Sequence, residues 1–121
     1  MVTHAPLRTN GNHLGSMYAG TLFAMAEMMG GAILFPSVDF EVYLPTVKDL
    51  AIRYRRPARS DITAVATLDP ETLSRIRDEA REHGRSEYRV DATLADTSGN
   101  VVATTHGIYQ LLAVSLATTT R

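Results

Sequence analysis

The fold is predicted to form around residues 10–35, NGNHLGSMYAGTLFAMAEMMGGAILF. From Met17 to Phe35 nearly every residue is apolar or small, and Glu27 is the one charged residue. A surface helix carries one apolar stripe, whereas a helix that is apolar on every side is enclosed by other elements. We therefore predict a buried central helix that runs to about Ile33 and carries one carboxylate near its middle.

Glu27 needs a physical reason to lie in such a helix, because an unpaired buried charge is costly. Its neighbours Met25, Ala26, Met28 and Met29 are apolar, so we expect desolvation to strengthen its carboxylate as a base. That property suits a general base that works near neutral pH. The alternative is a structural carboxylate that is hydrogen-bonded to the backbone or to a tyrosine. Perturbed buried acids cluster at functional sites, which favours the catalytic interpretation.

The start of this helix is a second candidate for chemistry. Backbone N–H groups of about residues 18–20 lack partners inside the helix, and helix N-termini favour negative charge. An oxyanion that forms on a substrate carbonyl would be a suitable guest. Ala19 and Gly20 would let a substrate approach the backbone closely. Tight packing of small residues is the common structural alternative.

Length and composition limit the classes of function. A chain of 121 residues predicts one domain, residues 1–121, with a single core. The 12 basic and 13 acidic side chains give a formal net charge of -1, which provides no field to attract nucleic acid or an anionic membrane. The absence of cysteine excludes disulfides, thiolate metal sites and cysteine nucleophiles, and it fits a reducing, cytoplasmic compartment.

Three further possibilities are disfavoured. The apolar run is nearly long enough to cross a bilayer, but Glu27, Thr21 and the glycines at 20, 30 and 31 argue against a membrane span. Residues 1–10 lack the apolar core and cleavage site of a signal peptide. No two histidines have metal-ligand spacing, so we predict no metal site.

Outside the helix, apolar and polar residues alternate with a period of two, which predicts half-buried strands. The predicted strands cover residues 38–44, 49–55, 62–68, 87–94 and 101–112, after a short strand within residues 1–9. Pro45-Thr46 is expected to bend or bulge the first of the longer runs. Residues 96–100, DTSGN, predict a hairpin turn.

A second helix is predicted after Asp69, because Asp69 is a good N-cap residue and Pro70 suits the first helical position. Leu73, Ile76 and Ala80 fall on one face, Gly84 should end the helix, and its charged remainder should face solvent. The element order predicts an α+β fold in which an antiparallel sheet wraps around the buried central helix. A second subunit could cover the face of that helix that points away from its own sheet.

An arginine cluster surrounds the turn at Pro57. It consists of Arg53, Arg55, Arg56 and Arg59, and the guanidinium group suits phosphate by its bidentate geometry. A solvated strand face explains the same pattern equally well. The cluster is therefore a candidate phosphate site that the sequence alone does not separate from an ordinary surface.

The remaining candidates are weaker. Asn12 could orient a water molecule or a carbonyl, although asparagine is also an ordinary turn residue. Four methionines, at positions 17, 25, 28 and 29, could line an adaptable groove for an acyl chain, whereas core filling is their commoner role.

Three stretches carry a family resemblance. They are GSMYAGTLFAMAEMMGG (residues 15–31), VKDLAIRYRRPA (47–58) and YRVDATLADTSGNVVATTHGIYQL (88–111). They resemble the central helix, a core strand and the last hairpin of the hotdog-fold acyl-CoA thioesterases, of the phenylacetate-pathway and four-hydroxybenzoyl-CoA types. The resemblance extends to a set of uncharacterised bacterial hotdog proteins and covers most of the chain. It implies an α+β hotdog fold with an extra surface helix.

The helix motif of that family can be placed on this chain. In the family a His-Gly-Gly triplet opens the helix, and an acid follows nine positions after the histidine. Tyr18-Ala19-Gly20 falls on the triplet here, and Glu27 lies nine positions after Tyr18. The polar residue that the family carries six positions before the triplet falls on Asn12. This chain departs from the family in having Tyr18 for histidine and Ala19 for glycine.

The resemblance implies roles for these residues. The backbone N–H of Ala19, beside Gly20, would polarise the thioester carbonyl, while Glu27 would activate water or attack directly. Asn12 would help to position the water. Substrate contacts are expected from Tyr18, from Thr46 and Val47, where some members carry a serine or threonine, and from Arg53 and Arg56. CoA would be part of the substrate, with no separate cofactor, and the protein would form homodimers or dimer-of-dimers tetramers with sites at the dimer interface.

Two functions from different classes follow. The first is hydrolysis of an acyl-CoA or acyl-carrier thioester. The second is non-catalytic binding of an acyl group or another small ligand on the same fold, because fold does not settle function. A hydratase of this fold usually pairs an acid with a histidine in a distinctive segment, and the chain has no such pair on adjoining positions, so it ranks last.

Overall fold

The computed structural model describes residues 1–7 and 19–115. In chain order the elements are β1 (Val2–Ala5), α1 (Ala19–Ala32), β2 (Tyr43–Tyr54), β3 (Ile62–Ala66), α2 (Pro70–His83), β4 (Arg85–Ala95) and β5 (Val101–Ala113). The strands form one five-stranded antiparallel sheet in the order β1-β3-β4-β5-β2. Helix α1 contacts all five strands. The predicted α+β architecture, an antiparallel sheet around a central helix with an extra surface helix, is confirmed.

Helix α1 rests on two tyrosine rings of the sheet. Tyr88 and Tyr109 are stacked, with ring centroids 5.6 Å apart. The Tyr88 hydroxyl donates to the carbonyl of Gly30 at 2.8 Å, and the Tyr109 hydroxyl donates to the carbonyls of Ala26 and Glu27 at 3.3 Å each. A Cβ atom on Gly30 would lie 1.8 Å from Cζ of Tyr109. The helix backbone therefore lies directly against the ring, which only glycine permits at this position.

The opposite face of α1 is open in the single chain. Phe23 is 39% exposed and Met28 is 55% exposed, and Gly20 and Ala24 are also exposed. The prediction that the helix is enclosed on every side is therefore wrong for one chain, because the sheet covers only one side of it. The buried face consists of Leu22, Met25, Ala26, Met29 and Gly30. Cover of the open face by a second subunit stays a prediction.

The predicted strand at residues 38–44 is wrong over most of its length. Residues 38–42 form turns, and β2 begins at Tyr43. The Asp39 carboxylate accepts from the Glu41 N–H at 2.9 Å, and the Asp39 carbonyl accepts from the N–H groups of Val42 and Tyr43. Aspartate stabilises such local turns, so its side chain prevails over the apolar alternation around it.

Strand β2 also joins two predicted segments into one. It runs through Pro45-Thr46 in regular register with β5, and the irregularity lies between Val47 and Asp49 instead. The predicted bend at Pro45-Thr46 is therefore displaced toward Lys48. β2 is an edge strand of the sheet. Proline is tolerated there because one side of an edge strand has no neighbouring strand to accept its hydrogen bonds.

The second helix and the last hairpin agree with the predictions. Asp69 caps α2 by accepting from the Thr72 N–H at 2.7 Å, and this hydrogen bond holds the pKa of the Asp69 carboxyl below its ordinary value. Gly84 ends the helix with φ 78°, a left-handed conformation that glycine adopts without cost. Ile76 and Ala80 are the buried residues of α2. β4 and β5 pair along their length on either side of residues 96–100.

Replacing Gly30 with alanine tests the contact between the helix backbone and the tyrosine ring. We expect Gly30→Ala to lower the free energy of unfolding by about 1–3 kcal/mol or more, the usual cost of overpacking a core. Gly20→Ala is the matched control, since a Cβ atom there meets nothing within 4 Å and alanine is the better helix former by about 1 kcal/mol. Denaturant unfolding of both variants measures the difference, and equal stability of the two would contradict the close approach.

Candidate functional site

A cavity of about 360 Å³ lies against the C-terminal half of α1. It brings together Glu27, Thr46 and Val47, three of the residues that the sequence analysis assigned to the site. Polar atoms of the lining side chains come from Glu27, Thr46 and Tyr109, and the Tyr109 hydroxyl is already engaged with the helix backbone. We call this cavity the acid pocket. It is an apolar cleft with a carboxylate in its wall.

The carboxylate of Glu27 is half-buried. Within residues 1–7 and 19–115 no side chain forms a hydrogen bond or an ion pair with it, and Tyr109 bonds the Glu27 carbonyl instead. The structural alternative is a carboxylate that is hydrogen-bonded to the backbone or to a tyrosine, and Tyr109 bonds the backbone carbonyl of Glu27 and not its carboxylate. The sequence predicts a buried Glu27, whereas in a single chain this residue is only half-buried.

The two tyrosines under α1 lie in a strongly desolvated environment. Burial raises the pKa of Tyr109 to about 12, and the nearby charge of Glu27 contributes to the same shift. Burial, with a contribution from Tyr109, also raises the pKa of Tyr88 above its ordinary value. Both hydroxyls therefore stay protonated near neutral pH and act as donors that fix the helix backbone.

The start of α1 forms a second depression, of about 310 Å³. Its lining includes Ala19, Tyr54, Arg55 and Arg56. Tyr54 donates its hydroxyl to the carbonyl of Ala19 at 3.2 Å, so β2 positions the helix start. We call this the helix-start pocket. Ala19 and Gly20 are both exposed there, so a ligand has access to the backbone.

The arginine cluster is divided by the structure. Arg56 lies in the helix-start pocket, whereas Arg53 lies in a depression of about 340 Å³ with Thr104 and His106. Thr104 and His106 alternate with the buried residues of β5, so their side chains lie on the face of the sheet opposite α1. Arg53 lines the same depression and therefore lies on that face too. Arg55 lines both depressions, and Arg59 lines neither.

Two predicted site residues, Asn12 and Tyr18, lie outside the described residues, and their roles stay predictions. Across residues 1–7 and 19–115 no group of three or more His, Asp or Glu side chains could hold a metal ion. No helix in the same ranges is long and apolar enough to span a membrane.

Sequence reasoning missed Tyr54. Its contact with Ala19 depends on how β2 crosses the helix, a pairing between residues 35 positions apart. The only sequence signal was its place in the strand that ends at the arginine cluster. Tyr109 was likewise not singled out, although it lines the acid pocket and holds the helix.

The acid pocket and the helix-start pocket are separate in one chain. Glu27 and Ala19 are eight residues apart on α1, which corresponds to roughly 12 Å along the axis. The two pockets have no lining residue in common. A single chain therefore does not bring its own helix start and its own acid to one point.

Comparison with known proteins identifies the family. Residues 1–109 match the family described as "Domain of unknown function (DUF4442)", and the chain belongs to this family. Among solved structures it resembles PA5026 from Pseudomonas aeruginosa, a protein of unknown function described as a "Probable Thioesterase", with 43% identity over 93% of this chain and 75% of that chain and a TM-score of 0.84. No curated protein sequence matches significantly.

Two more distant structures share the fold. The thioesterase enzyme SAV0944 from Staphylococcus aureus, solved as a mutant, has 14% identity and a TM-score of 0.72, over 92% of this chain and 84% of that chain. The BH2602 protein from Bacillus halodurans, solved with CoA, has 17% identity and a TM-score of 0.70, over 92% and 66% of the two chains. The chain thus shares the hotdog fold with these structures, and the predicted resemblance to the hotdog-fold thioesterases is confirmed.

The raised pKa of Tyr109 predicts a loss of stability at alkaline pH. The folded form binds the phenolic proton more tightly, so its contribution is fully present below the unfolded value of about 10. It is lost as the pH rises through the folded value of about 12. Denaturant unfolding of wild type and Tyr109→Phe over this range should give a shallower decline for the variant.

Tyr43→Phe serves as the control for this titration, because it keeps both hydroxyls under the helix. Its decline should match that of the wild type. Parallel declines for Tyr109→Phe and wild type would contradict the assignment.

Proposed function

We propose that this protein is a thioesterase that hydrolyses an acyl-CoA or acyl-carrier thioester, with Glu27 as the base or nucleophile. The observation that carries the proposal is the carboxylate of Glu27, half-buried in an apolar pocket and without a side-chain partner in the described part of the chain. A carboxylate in the wall of a pocket, with no side chain bonded to it, has the position that a general base needs. The 43% identity with a protein described as a "Probable Thioesterase" supports the same reaction.

The chemistry requires a base and an oxyanion donor. Glu27 takes a proton from water as the water oxygen bonds to the thioester carbonyl carbon. The carbonyl π electrons move to oxygen, and the resulting oxyanion accepts hydrogen bonds from the backbone N–H groups at Ala19 and Gly20. Collapse of this intermediate breaks the carbon–sulfur bond, and Glu27 returns its proton to the leaving thiolate. The products are a carboxylic acid and a free thiol.

The alternative route uses Glu27 as the nucleophile. Its carboxylate would displace the thiolate to form a mixed anhydride, which water then hydrolyses to the same acid. In both routes Asn12 helps to position water. Thr46 and Val47, opposite Glu27 in the acid pocket, contact the substrate, as does Tyr18. CoA enters as part of the substrate, and the reaction needs no other cofactor.

The active site is proposed to lie between two copies of the chain. A base and an oxyanion donor must meet within a few ångströms of one carbonyl, and Glu27 and Ala19 of one helix are too far apart. A second α1 that runs antiparallel across the open face would place Glu27 of one copy near Ala19 of the other, twice, by two-fold symmetry. It would also cover Phe23 and Met28, whose exposure leaves an apolar surface on the single chain.

The CoA portion of the substrate is proposed to leave the site past the helix-start pocket. Arg55 and Arg56 line that pocket beside Ala19, and arginine suits the phosphates of CoA. The structure of BH2602 with CoA supports a CoA substrate on this fold. Arg53 points to the other face of the sheet, so it would reach only the far end of the nucleotide. The proposed assembly is a homodimer or a dimer of dimers, in the cytoplasm.

Glu27→Gln tests the proposed base. We expect turnover of a hydrolysed acyl-CoA to fall roughly 10²–10⁴-fold, the range for loss of a general base, with the fold retained. Glu41→Gln is the matched control, since Glu41 is an exposed acid outside the acid pocket and should keep wild-type turnover. Release of free thiol measures both variants.

Undiminished turnover by pure Glu27→Gln protein would remove Glu27 from the mechanism. A wild type that binds acyl-CoA but releases no thiol from any member of a broad panel would favour the second candidate, a non-catalytic binding protein. The departure of Tyr18-Ala19 from the His-Gly of the family is the observation that keeps this candidate in the test.

A mixed dimer tests the shared site. One subunit carries Glu27→Ala, and the other carries Ala19→Pro, which removes the backbone N–H at the helix start. Each variant alone should be inactive, whereas the mixed dimer should regain one intact site and up to about half of the wild-type activity per dimer. Activity in a verified monomer, or no recovery in a verified mixed dimer, would contradict the shared site.

A further inference from the structure

Most residues that line the acid pocket besides Glu27 are apolar. One wall follows α1 and its continuation through Met28, Gly31 and Phe35, and the opposite wall comes from β2 through Pro45. Phe40 completes the lining from the turn between them. Among the lining side chains, polar groups come from Glu27, Thr46 and Tyr109, and the Tyr109 hydroxyl is bonded to the helix backbone. The cavity therefore suits an apolar group that extends away from the carboxylate.

Two aromatic rings meet in this lining. Phe35 and Phe40 form an edge-to-face pair, with ring centroids 5.6 Å apart and an interplanar angle of 82°. The turn that carries Phe40 is held by the hydrogen bonds of Asp39, and Phe35 is held by its N–H bond to the Ala32 carbonyl at 3.0 Å. Phe40 also packs against the core. Phe40 is thus anchored in the pocket wall, and Phe35, which is 71% exposed, meets it from the outer side.

The size of the cavity limits what it holds. Its volume of about 360 Å³ lies near the lower end of the roughly 300–1,000 Å³ of ordinary ligand pockets. The helix backbone lies close to β2 at Gly31, because a Cβ atom added there would lie 3.1 Å from Cγ of Pro45. The cavity is therefore narrow at this point. A short or medium aliphatic chain or a single aromatic ring would fill such a space.

We propose that the acid pocket binds the acyl group of the substrate, and that the Phe35–Phe40 pair sets the upper limit of its length. The inference rests on the proposed thioesterase function and adds the class of substrate, namely thioesters of short to medium or monocyclic aromatic acids. Phe35 and Phe40 are specificity residues in this assignment. They contact the end of the acyl group that is remote from the bond broken.

The test is a length profile with two readouts. Hydrolysis of straight-chain acyl-CoAs from acetyl to palmitoyl, together with benzoyl-CoA and phenylacetyl-CoA, gives kcat/KM for wild type, Phe35→Ala and Phe40→Ala. Binding of the matching non-hydrolysable thioethers gives Kd for the same set. Wild type should prefer the short, medium and monocyclic members.

Removing either ring should shift the optimum to longer chains. We expect the ratio of kcat/KM for long over short chains to rise by about 10-fold or more, the usual discrimination for a few methylenes in an apolar pocket. Gly31→Ala should shift the profile in the opposite direction by narrowing the cavity. Val42→Ala is the control, since Val42 is exposed on the same turn and does not line the pocket, so its profile should match that of the wild type.

The outcomes separate this inference from the function itself. If folded Phe35→Ala and Phe40→Ala keep the wild-type length profile in both readouts, the two rings do not limit the acyl group. The proposed hydrolase function would be unaffected by that result. If wild type releases no thiol but the Kd profiles still shift in the variants, the proposed hydrolase function is wrong. The assignment of the acid pocket as the acyl-binding site would stand. If Phe40→Ala does not fold, Phe35→Ala decides the matter, because Phe35 is 71% exposed and its removal leaves the core unchanged.

Discussion

The contact between the backbone of α1 and the ring of Tyr109 determines how the central helix lies on the sheet, and both pockets lie against that helix. Gly30 has no side chain, so the helix approaches the sheet until its backbone meets the ring. The hydroxyls of Tyr88 and Tyr109 then donate to helix carbonyls. Those bonds fix the helix in both rotation and translation, because each joins one named carbonyl to one position in the sheet. Since the Glu27 carbonyl is one of them, the same contact aims the Glu27 side chain at the acid pocket.

Elements with strong local signals were predictable. α2 begins at an Asp-Pro pair and ends at a glycine, and β4 alternates strictly, so local chemistry alone defines both. The segment at 38–42 shows the limit of such reasoning. Its alternation has the period of a strand, yet one aspartate side chain provides the backbone with better local hydrogen bonds. Periodicity reports which residues are half-buried, and Val38 and Phe40 do pack against the core, but it does not report how the chain between them turns.

Residues of the candidate site were predictable where neighbouring residues in the sequence mark them, and not where only contacts between distant residues do. Glu27 stands out because it is a single charge in an apolar run, and it does line the acid pocket. Thr46 and Val47 came from the family resemblance, and the structure places both in that cavity. Tyr54 could not be found, because its contact with Ala19 depends on the crossing of β2 and α1. The arginine cluster looked like one group in sequence, but strand alternation sends Arg53 to the opposite face of the sheet.

The proposed function places two conflicting demands on α1, which would serve both as core and as site. Its inner face must be apolar and tightly packed, which fixes it against the tyrosines and leaves little freedom to move Glu27. Its start must stay accessible for a ligand to reach the backbone, and Ala19 and Gly20 are exposed there. One helix cannot satisfy both demands at a single point, because its start and its middle are separated by the rise of about 1.5 Å per residue. In the proposed dimer, two-fold symmetry would resolve the conflict without any change in the chain, since the open face of one copy would meet the helix start of another. The separation of the two pockets in a single chain is what that proposal requires of each half of a shared site.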